Sequence, residues 1–277
     1  MSPLHYLGRQ LARFLAKPRD RNSHIPTSPT SLLTATLRKG DVVLVEGSSR
    51  FASAIKYLTQ STWSHAALYI GDTLGSPGAD EEPRVLVDVD VIEGVRTIPL
   101  STFAGLHTRI CRPVGLGEAE VTALIDFMIS RKGITYDLKN IFDLARYFIR
   151  TPPVPGGMKR RMLSLGSGEP TKAICSTLLA QAFESIRYPI LPEVELVDAD
   201  SAGARRARRE ILHIRHHSLY APRDFDVSPF FRVVKPRIEQ GFDYRELEWN
   251  QPEAAAQGAS ADSAASRLSS AASPPSA

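Results

Sequence analysis

Cysteine is scarce in this chain, with Cys111 and Cys175 the two examples among 277 residues. Two cysteines cannot form the dense disulfide framework of a small secreted domain or a zinc site made of several thiolates. No apolar run reaches the ~20 residues that a helix needs to cross a bilayer. The N-terminus does not resemble a signal peptide, because Arg9 and Arg13 interrupt its apolar stretch. We therefore expect a cytoplasmic protein with reduced thiols.

A strong excess of one charge is also missing, since 34 basic residues face 30 acidic ones and the formal net charge is +4. The segment 204–217 is basic, but no recognised nucleic-acid motif accompanies it, so we expect no nucleic-acid partner. Its histidines, His213, His216 and His217, have no cysteine nearby, so we predict no metal ion there. Nothing in the sequence indicates another cofactor. The 43% hydrophobic content is typical of a globular protein with a sizeable core.

The composition divides the chain into four parts. Residues 1–36 combine a basic helix, with apolar residues at helical spacing, and a linker. This helix either packs on the domain or lies on an anionic lipid surface. Residues 37–235 form the predicted domain, and 236–251 an extension. Residues 252–277 are Ala-, Ser- and Pro-rich and predict disorder.

Short apolar runs separated by turn residues predict strands in the first half of the domain. The runs are "VVLV" at 42–45, "HAALYIGD" at 65–72, "RVLVDVDVI" at 84–92, "VRTIPL" at 95–100 and "RICRPV" at 109–114. Consecutive strands joined in this way favour a mainly antiparallel sheet. The second half is predicted to be helical, with one helix ending at Gly133. Residues 151–172 are predicted to be a long mobile loop with a basic cluster at 159–161. The fold class is therefore α+β.

A histidine begins one of these predicted strands. Alternation places His65, Ala67 and Tyr69 on one face, and the other face is also apolar, so the strand is predicted to be internal. Such a histidine is either a core group with one satisfied hydrogen bond or a base beside a nucleophile. The strand alone leaves both interpretations open.

Cys175 begins a predicted helix directly after the loop. The partial positive charge and free N–H groups of a helix N-terminus favour a thiolate and can hold an oxyanion. The alternative is a buried structural cysteine that packs against Leu178 and Leu179. Cys111 lies on a predicted strand without such a feature, and we interpret it as a packing residue.

Acidic residues lie on the strand that follows the histidine strand. Alternation places Asp88 and Asp90 on one face, and Val85, Val87 and Val89 on the other. A carboxylate beside an imidazole fixes its tautomer and stabilises the imidazolium. Solvated charges at a sheet edge are the alternative. Glu93, in the following turn, is the third candidate.

The order of these segments resembles a known family. "KGDVVLVEG", "WSHAALYIGD", "VLVDVDVIEGVRTIPLSTF", "GITYDLKNI" and "ICSTLLAQAF" are similar to motifs of the permuted papain-like amidase family of bacteria, of the YiiX/YaeF type. That family belongs to the NlpC-like superfamily, which also includes lecithin retinol acyltransferase. The resemblance covers roughly residues 37–235. It implies a circularly permuted papain-like fold, in which a mainly antiparallel sheet packs against the helix that carries the cysteine.

The resemblance also implies roles for individual residues. Cys175 matches the nucleophile and His65 the general base. The family often has Glu as its third polar residue, whereas this sequence has Asp88, which leaves open whether Asp88, Asp90 or neither orients the ring. Ser64 is a candidate to support the histidine. Tyr57 and Tyr136 are candidate donors to an oxyanion.

The implied activity is that of a cysteine-dependent hydrolase or acyltransferase, which cleaves an acyl amide or ester through a thioester. The alternative is a catalytically silent module of the same fold that binds a lipid or peptide. The basic segments suit an anionic membrane surface as a partner. A peripheral position on the inner face of the membrane is therefore the alternative to a free cytoplasmic one.

Overall fold

Alternating and β-branched residues form eight strands in the described part of the chain, as seen in the computed structural model of the protein. The structure describes residues 14–15, 17, 28–79, 81–90, 92–135, 174–197, 209–213, 217 and 220–248. The strands are β1 (Val42–Glu46), β2 (His65–Tyr69), β3 (Arg84–Asp90), β4 (Gly94–Pro99), β5 (His107–Pro113), β6 (Glu193–Val197), β7 (Arg209–His213) and β8 (Phe231–Val234). The helices are α1 (Thr30–Thr36), α2 (Arg50–Thr59), α3 (Glu118–Ile129), α4 (Ile174–Ser185), α5 (Pro222–Val227) and α6 (Pro236–Glu239).

Six of the strands form one sheet in the order β4-β3-β2-β1-β5-β8, and every neighbouring pair is antiparallel. Strands β6 and β7 form a separate antiparallel pair. The chain is therefore α+β with a mainly antiparallel sheet, as predicted. Strand β2 lies between β1 and β3, with His65 opposite Val45 of β1. The histidine strand and the Asp88 strand are thus direct neighbours.

Both faces of the sheet are covered, which explains why β1 and β2 are apolar on both sides. On one face, Leu44, Leu68 and Val87 pack in a core with Leu178 and Phe183 of α4. Because α4 packs against β2 and β3, it lies over the two strands that carry the histidine and the aspartate. Full burial of each of these large side chains stabilises the fold by roughly 1.5–3 kcal/mol.

The opposite face packs under shorter elements. Val43, Ala67 and Leu86 form a second core with Leu33 of α1 and with Phe103. Phe103 ends a 3₁₀ helix, Leu100–Phe103, that follows β4 directly. The 3₁₀ helix thereby covers the sheet face onto which the alternation of β2 directs His65.

The prediction of a helical second half was wrong in part, because β6, β7 and β8 lie there. Strand β8 has only four residues, and it extends the sheet by pairing along β5, with Val233 opposite Cys111. A run this short carries little periodicity, so pairing with a distant strand decides its structure.

The predicted helix end at Gly133 was also wrong. Helix α3 ends at Ile129, and the chain then turns towards the edge strand β4. The N–H of Gly133 donates to the Val95 carbonyl at 2.8 Å, and the Val95 N–H donates to the Ile134 carbonyl at 3.0 Å. Gly133 has φ of 85° and serves this turn instead of a helix cap. The turn that contains Gly133 and Ile134 therefore supplies hydrogen-bond partners to the edge strand β4 next to Gly94.

Alternation failed at one position of β3. Val85 packs in the core that contains Leu86, although it was predicted to share a face with Val87. The pairing of β3 with β4 shifts register between Arg84 and Leu86. A β-bulge of this kind adds a residue and breaks the two-residue period locally. The register is regular again at Asp88, which lies opposite Arg96.

Several predictions fall largely outside the described residues. Of the N-terminal helix, Leu15 is buried and Phe14 lies under the Arg50 guanidinium, 4.3 Å from ring centroid to Cζ. The loop 151–172 and the tail 252–277 lie outside the described residues, as does most of the basic segment 204–217. The described residues up to Gln240 form one compact unit, and those from Gly241 onwards belong to another. The predicted boundaries at 36, 235 and 251 stay predictions.

Candidate active site

His65 lies where an internal strand begins, and its side chain is 25% exposed. Its ring packs edge-on against Phe103, with 6.0 Å between the ring centroids. The backbone of β2 is paired on both sides, by β1 and by β3. The sheet therefore fixes the position of the imidazole while leaving part of the ring accessible.

Asp88 is the residue that orients this ring. Leu68 lies opposite Val87, so the next residue of β3, Asp88, falls on the same sheet face as His65. The Nε2–H of His65 donates a hydrogen bond to Oδ1 of Asp88. The carboxylate is only 2% exposed, and its second oxygen, Oδ2, accepts from Arg96 Nη2 at 3.0 Å and Nε at 3.3 Å.

Opposing effects set the protonation of this pair. Burial alone would raise the pKa of Asp88, but the His65 and Arg96 charges and hydrogen bonds outweigh it and lower the pKa to about 2. Burial alone would lower the pKa of His65. The Asp88 carboxylate and then Cys175 outweigh that effect and raise the His65 pKa well above its ordinary value. The pair is therefore a buried carboxylate holding an imidazolium.

Cys175 is the second residue of α4 and is buried, with 4% of its surface exposed. It acts on His65 both as a neighbouring charge and as a side-chain hydrogen-bond partner. Because Nε2 of His65 is bound to Asp88, the other ring nitrogen, Nδ1, is left for the thiol proton. The first four N–H groups of a helix have no intrahelical acceptor, so the first turn of α4 offers donors beside the sulfur.

The chain therefore brings together Cys175, His65 and Asp88, in the order of a nucleophile, a base and an orienting acid. Neither of the other two candidate carboxylates, Asp90 and Glu93, contacts the His65 ring in this way. Asp90 Oδ1 instead accepts from the N–H groups of Ile92 and Glu93, at 2.7 and 2.9 Å. Of the three candidate carboxylates, Asp88 is the one that contacts the ring.

Ser64 and Tyr57 are the predicted supporting residues that lie within the described ranges. Ser64 Oγ accepts from the Gly47 N–H at 2.9 Å and donates to the Val45 carbonyl at 3.4 Å, so it ties β1 to the start of β2. Tyr57 lies on α2 with 46% of its surface exposed. Tyr136 lies outside the described residues. The structure thus gives Ser64 a backbone role, and the oxyanion roles of the two tyrosines stay predictions.

Cys111 offers an internal comparison for the candidate nucleophile. It is fully buried on β5, in the middle of the core. Burial, followed by the Asp226 carboxylate, raises the pKa of its thiol well above the ordinary value. Cys111 is therefore a packing residue, as predicted, and burial holds it as a neutral thiol.

Sequence reasoning missed Arg96 and Phe103, which both contact the His65–Asp88 pair. The hairpin register contains a signal for Arg96, since a turn around Glu93 and Gly94 places residue 96 opposite residue 88. Phe103 gives no comparable signal, because the 3₁₀ helix reaches His65 through tertiary packing.

A cluster of metal ligands and a membrane-spanning helix are both absent from the described residues. Within the described ranges, no group of three or more His, Cys, Asp or Glu side chains could hold a metal ion. Of His213, His216 and His217, His216 lies outside these ranges, and Nδ1 of His217 lies 3.4 Å from Oε2 of Glu184. None of the helices in the described part of the chain combines the length and hydrophobicity of a membrane span.

The ion pair predicts a pH dependence of stability. The pKa of Asp88 falls from 3.8 to about 2 on folding, which corresponds to about 2 kcal/mol. This contribution is present above about pH 4 and is lost as the pH falls through about 2. The raised pKa of His65 adds stability that is present below about pH 6.5 and is lost as the pH rises through the folded pKa.

The measurement is urea unfolding of the wild type and Asp88→Asn from acid to alkaline pH. The difference in the free energy of unfolding should be largest between about pH 4 and 6.5 and should shrink on both sides. A difference that stays constant with pH would contradict the ion pair.

Comparison with known proteins gives weak matches. No family model matches the chain, and no curated protein matches it either. A solved structure described as metalloprotein yiiX from Escherichia coli O157:H7 is similar at 16% sequence identity, with a TM-score of 0.40. The match covers 71% of this chain and 96% of that one. A resemblance this weak leaves the family open, so the function has to be inferred from the site.

Proposed function

We propose that the protein is a cysteine-dependent hydrolase or acyltransferase that cleaves an acyl amide or ester through a thioester. One observation carries the proposal: His65 lies between a buried carboxylate, Asp88, and the Cys175 thiol at the start of a helix. A histidine with both partners has a fixed tautomer and a proton to exchange, which are the properties of a catalytic base.

The proposed reaction begins from a thiolate–imidazolium pair, in which Nδ1 of His65 already holds the proton of the Cys175 thiol. The thiolate sulfur attacks the acyl carbonyl carbon, and N–H groups in the first turn of α4 stabilise the tetrahedral oxyanion. As the C–N or C–O bond breaks, His65 returns the proton to the leaving group. His65 then deprotonates water or an acceptor amine or alcohol, which attacks the thioester and releases the acyl product. The thiol is thereby restored.

We further propose that the fold is a circularly permuted papain-like fold. The support is the chain order, in which the histidine strand β2 and the aspartate strand β3 precede the cysteine helix α4. The packing of α4 against these two strands gives the arrangement that the sequence resemblance implies. Chain order changes the connections between elements but leaves the catalytic geometry intact.

The proposed substrates are peptide-like or lipid-like acyl compounds. The proposed setting is the cytoplasm or the inner face of the membrane, and both Cys111 and Cys175 are free thiols. An anionic membrane surface remains a proposed partner, based on the basic segments of the sequence.

The direct test is alkylation by iodoacetamide, followed by peptide mass mapping. Cys175 should react at least roughly tenfold faster than Cys111, because the thiolate is the reactive form and Cys111 is held as a neutral thiol. His65→Ala should slow modification of Cys175 and leave the slow rate of Cys111 unchanged.

Two outcomes would reject the proposal. If both cysteines are labelled at the same rate and His65→Ala does not change that rate, then Cys175 is not an activated thiol. An acyl ligand that binds equally well to Cys175→Ala, in a wild type that shows no turnover, would favour a binding module instead.

A further inference from the structure

Arg96 connects the candidate catalytic acid to the edge of the sheet. It lies on β4 directly opposite Asp88, and its Nη2 and Nε both point at Oδ2 of that residue, at 3.0 and 3.3 Å. The other carboxylate oxygen, Oδ1, is bound to His65. Each oxygen of Asp88 thus has its own cationic partner.

Two further carboxylates hold the guanidinium itself. Glu93 Oε2 accepts from Nη1 of Arg96 at 3.0 Å, and Asp90 Oδ2 lies 3.5 Å from Nη2. Asp90 is fixed in turn by the N–H groups at the hairpin turn. The side chain of Arg96 is 29% exposed, so the guanidinium bridges a buried carboxylate and a solvated hairpin.

We propose that Arg96 is the positioning residue that keeps the Asp88 carboxylate charged and directed at His65 throughout the reaction. The inference rests on the proposed function, in which His65 gains and loses a proton in every cycle. Arg96 touches neither the thiol nor the acyl group, and it acts through Asp88 alone.

A buried carboxylate needs such a partner because its other counter-charge is intermittent. When His65 is an imidazolium, it stabilises the Asp88 anion directly. When His65 has given its proton to the leaving group, the carboxylate would be left alone in a nonpolar environment, which favours its protonation. Arg96 stays charged at every working pH and supplies a constant positive charge. The proton that His65 carries on Nε2 therefore stays on the imidazole and does not move to Asp88.

The two-nitrogen contact also restricts the orientation of the carboxylate. A guanidinium presents its N–H groups in a rigid planar fork, whereas an ammonium is a point charge. With Oδ2 held by two nitrogens, Oδ1 is held towards Nε2 of His65. A lysine at position 96 would supply the charge without this restriction.

The charged groups around the pair come from three elements. Asp88 is contacted by His65 from β2 and by Arg96 from β4. His65 is contacted by Asp88 and by Cys175 from α4. The carboxylate that lies next on the same strand, Asp90, reaches the pair only through the guanidinium, so Arg96 is, after His65 itself, the group whose removal changes the charge on Asp88 most.

The experiment compares Arg96→Gln with Arg96→Lys in the full chain. For Arg96→Gln we expect kcat/KM to fall by roughly 10- to 100-fold, and the acid limb of its pH profile to move to higher pH because the pKa of Asp88 rises. Arg96→Lys should keep the acid limb near its wild-type position while part of the loss in rate remains. Added guanidinium ion should restore part of the activity of Arg96→Ala.

A second readout is independent of turnover. The carboxyl carbon-13 signal of Asp88, followed by NMR against pH, should report a higher pKa in Arg96→Gln and a nearly wild-type one in Arg96→Lys. If the wild type lacks turnover but the signal responds in this way, the proposed function fails and the role of Arg96 in holding Asp88 charged stands. If the wild type turns over and the signal does not respond, the inference fails alone.

Matched controls separate positioning from folding. Arg232, 53% exposed on the other edge strand β8 and 3.5 Å from Glu239, is the control for loss of an edge arginine. Arg232→Gln should leave the pH profile unchanged. If Arg96→Gln fails to fold, Arg96→Lys carries the test, because it keeps the positive charge beside Asp88 and loses the planar fork, so kcat/KM should fall while the acid limb stays in place. A kcat/KM of Arg96→Lys equal to that of the wild type would then overturn the inference.

Discussion

Asp88→Asn is expected to reduce turnover by about 10⁴-fold, the order found when the acid of a catalytic triad is neutralised. The amide keeps the shape of the carboxylate but removes the charge that stabilises the imidazolium, so the pKa of His65 should fall. An amide nitrogen facing Nε2 would also favour the wrong tautomer, with the proton on Nδ1 where the thiol proton must go. Steady-state rates and an NMR titration of His65 measure the two effects separately.

Asp90→Asn is the matched control for this prediction. It makes the same chemical change two residues along the same strand, where the side-chain oxygen caps the hairpin turn and an amide oxygen can do so equally well. We expect a loss of activity smaller than about tenfold in this variant. Equal losses in both variants would mean that the orienting role does not belong to Asp88.

The residues of the candidate site could be predicted because each has a local signature. His65 begins a strand that is apolar on both faces, Cys175 begins a helix after a loop, and Asp88 lies on the strand that follows the histidine strand. Consecutive antiparallel strands are usually sheet neighbours, so the contact between His65 and Asp88 follows from chain order. The contact with Cys175 depends on how a distant helix packs, and the family resemblance indicated it.

The remaining features depend on interactions that periodicity does not contain. The bulge that moves Val85 to the other face is a shift in pairing between two strands, and the residues of β3 alone do not predict it. Strand β8 exists because β5 offers an open edge. Arg96 belongs to the site because the hairpin register is regular beyond the bulge. Each feature follows from register or edge pairing, which are tertiary properties.

The physical chemistry of the site explains why its acid lies deep in the sheet. A carboxylate that is 2% exposed interacts strongly with its partners, because little water screens the charges. The same burial would neutralise the acid if its partners were absent. His65 at 25% and Arg96 at 29% exposure surround the buried carboxylate with two partly exposed cations. The pair thus gains strong coupling while the imidazole stays accessible to a substrate.

Gly94 is expected to be the position at which a single methyl group harms the fold most. Its φ is 76°, and an added Cβ would lie 2.9 Å from the Ile134 carbonyl carbon and closer still to its oxygen. That carbonyl accepts the Val95 N–H and pairs the edge of β4, one residue before Arg96. Gly94→Ala therefore combines backbone strain with loss of this edge pairing.

Gly105→Ala separates these two effects, because Gly105 has the same φ of 76° but nothing within 4 Å of an added Cβ. Strain alone should cost about 1–2 kcal/mol at Gly105, whereas strain and overlap together should cost about 3–5 kcal/mol at Gly94. Urea unfolding of both variants measures the difference. Because Val95 precedes Arg96, Gly94→Ala should also reduce the rate of Cys175 alkylation, while Gly105→Ala should not. Equal destabilisation of the two variants would show that the close contact between Ile134 and Gly94 does not contribute to the stability of the sheet edge.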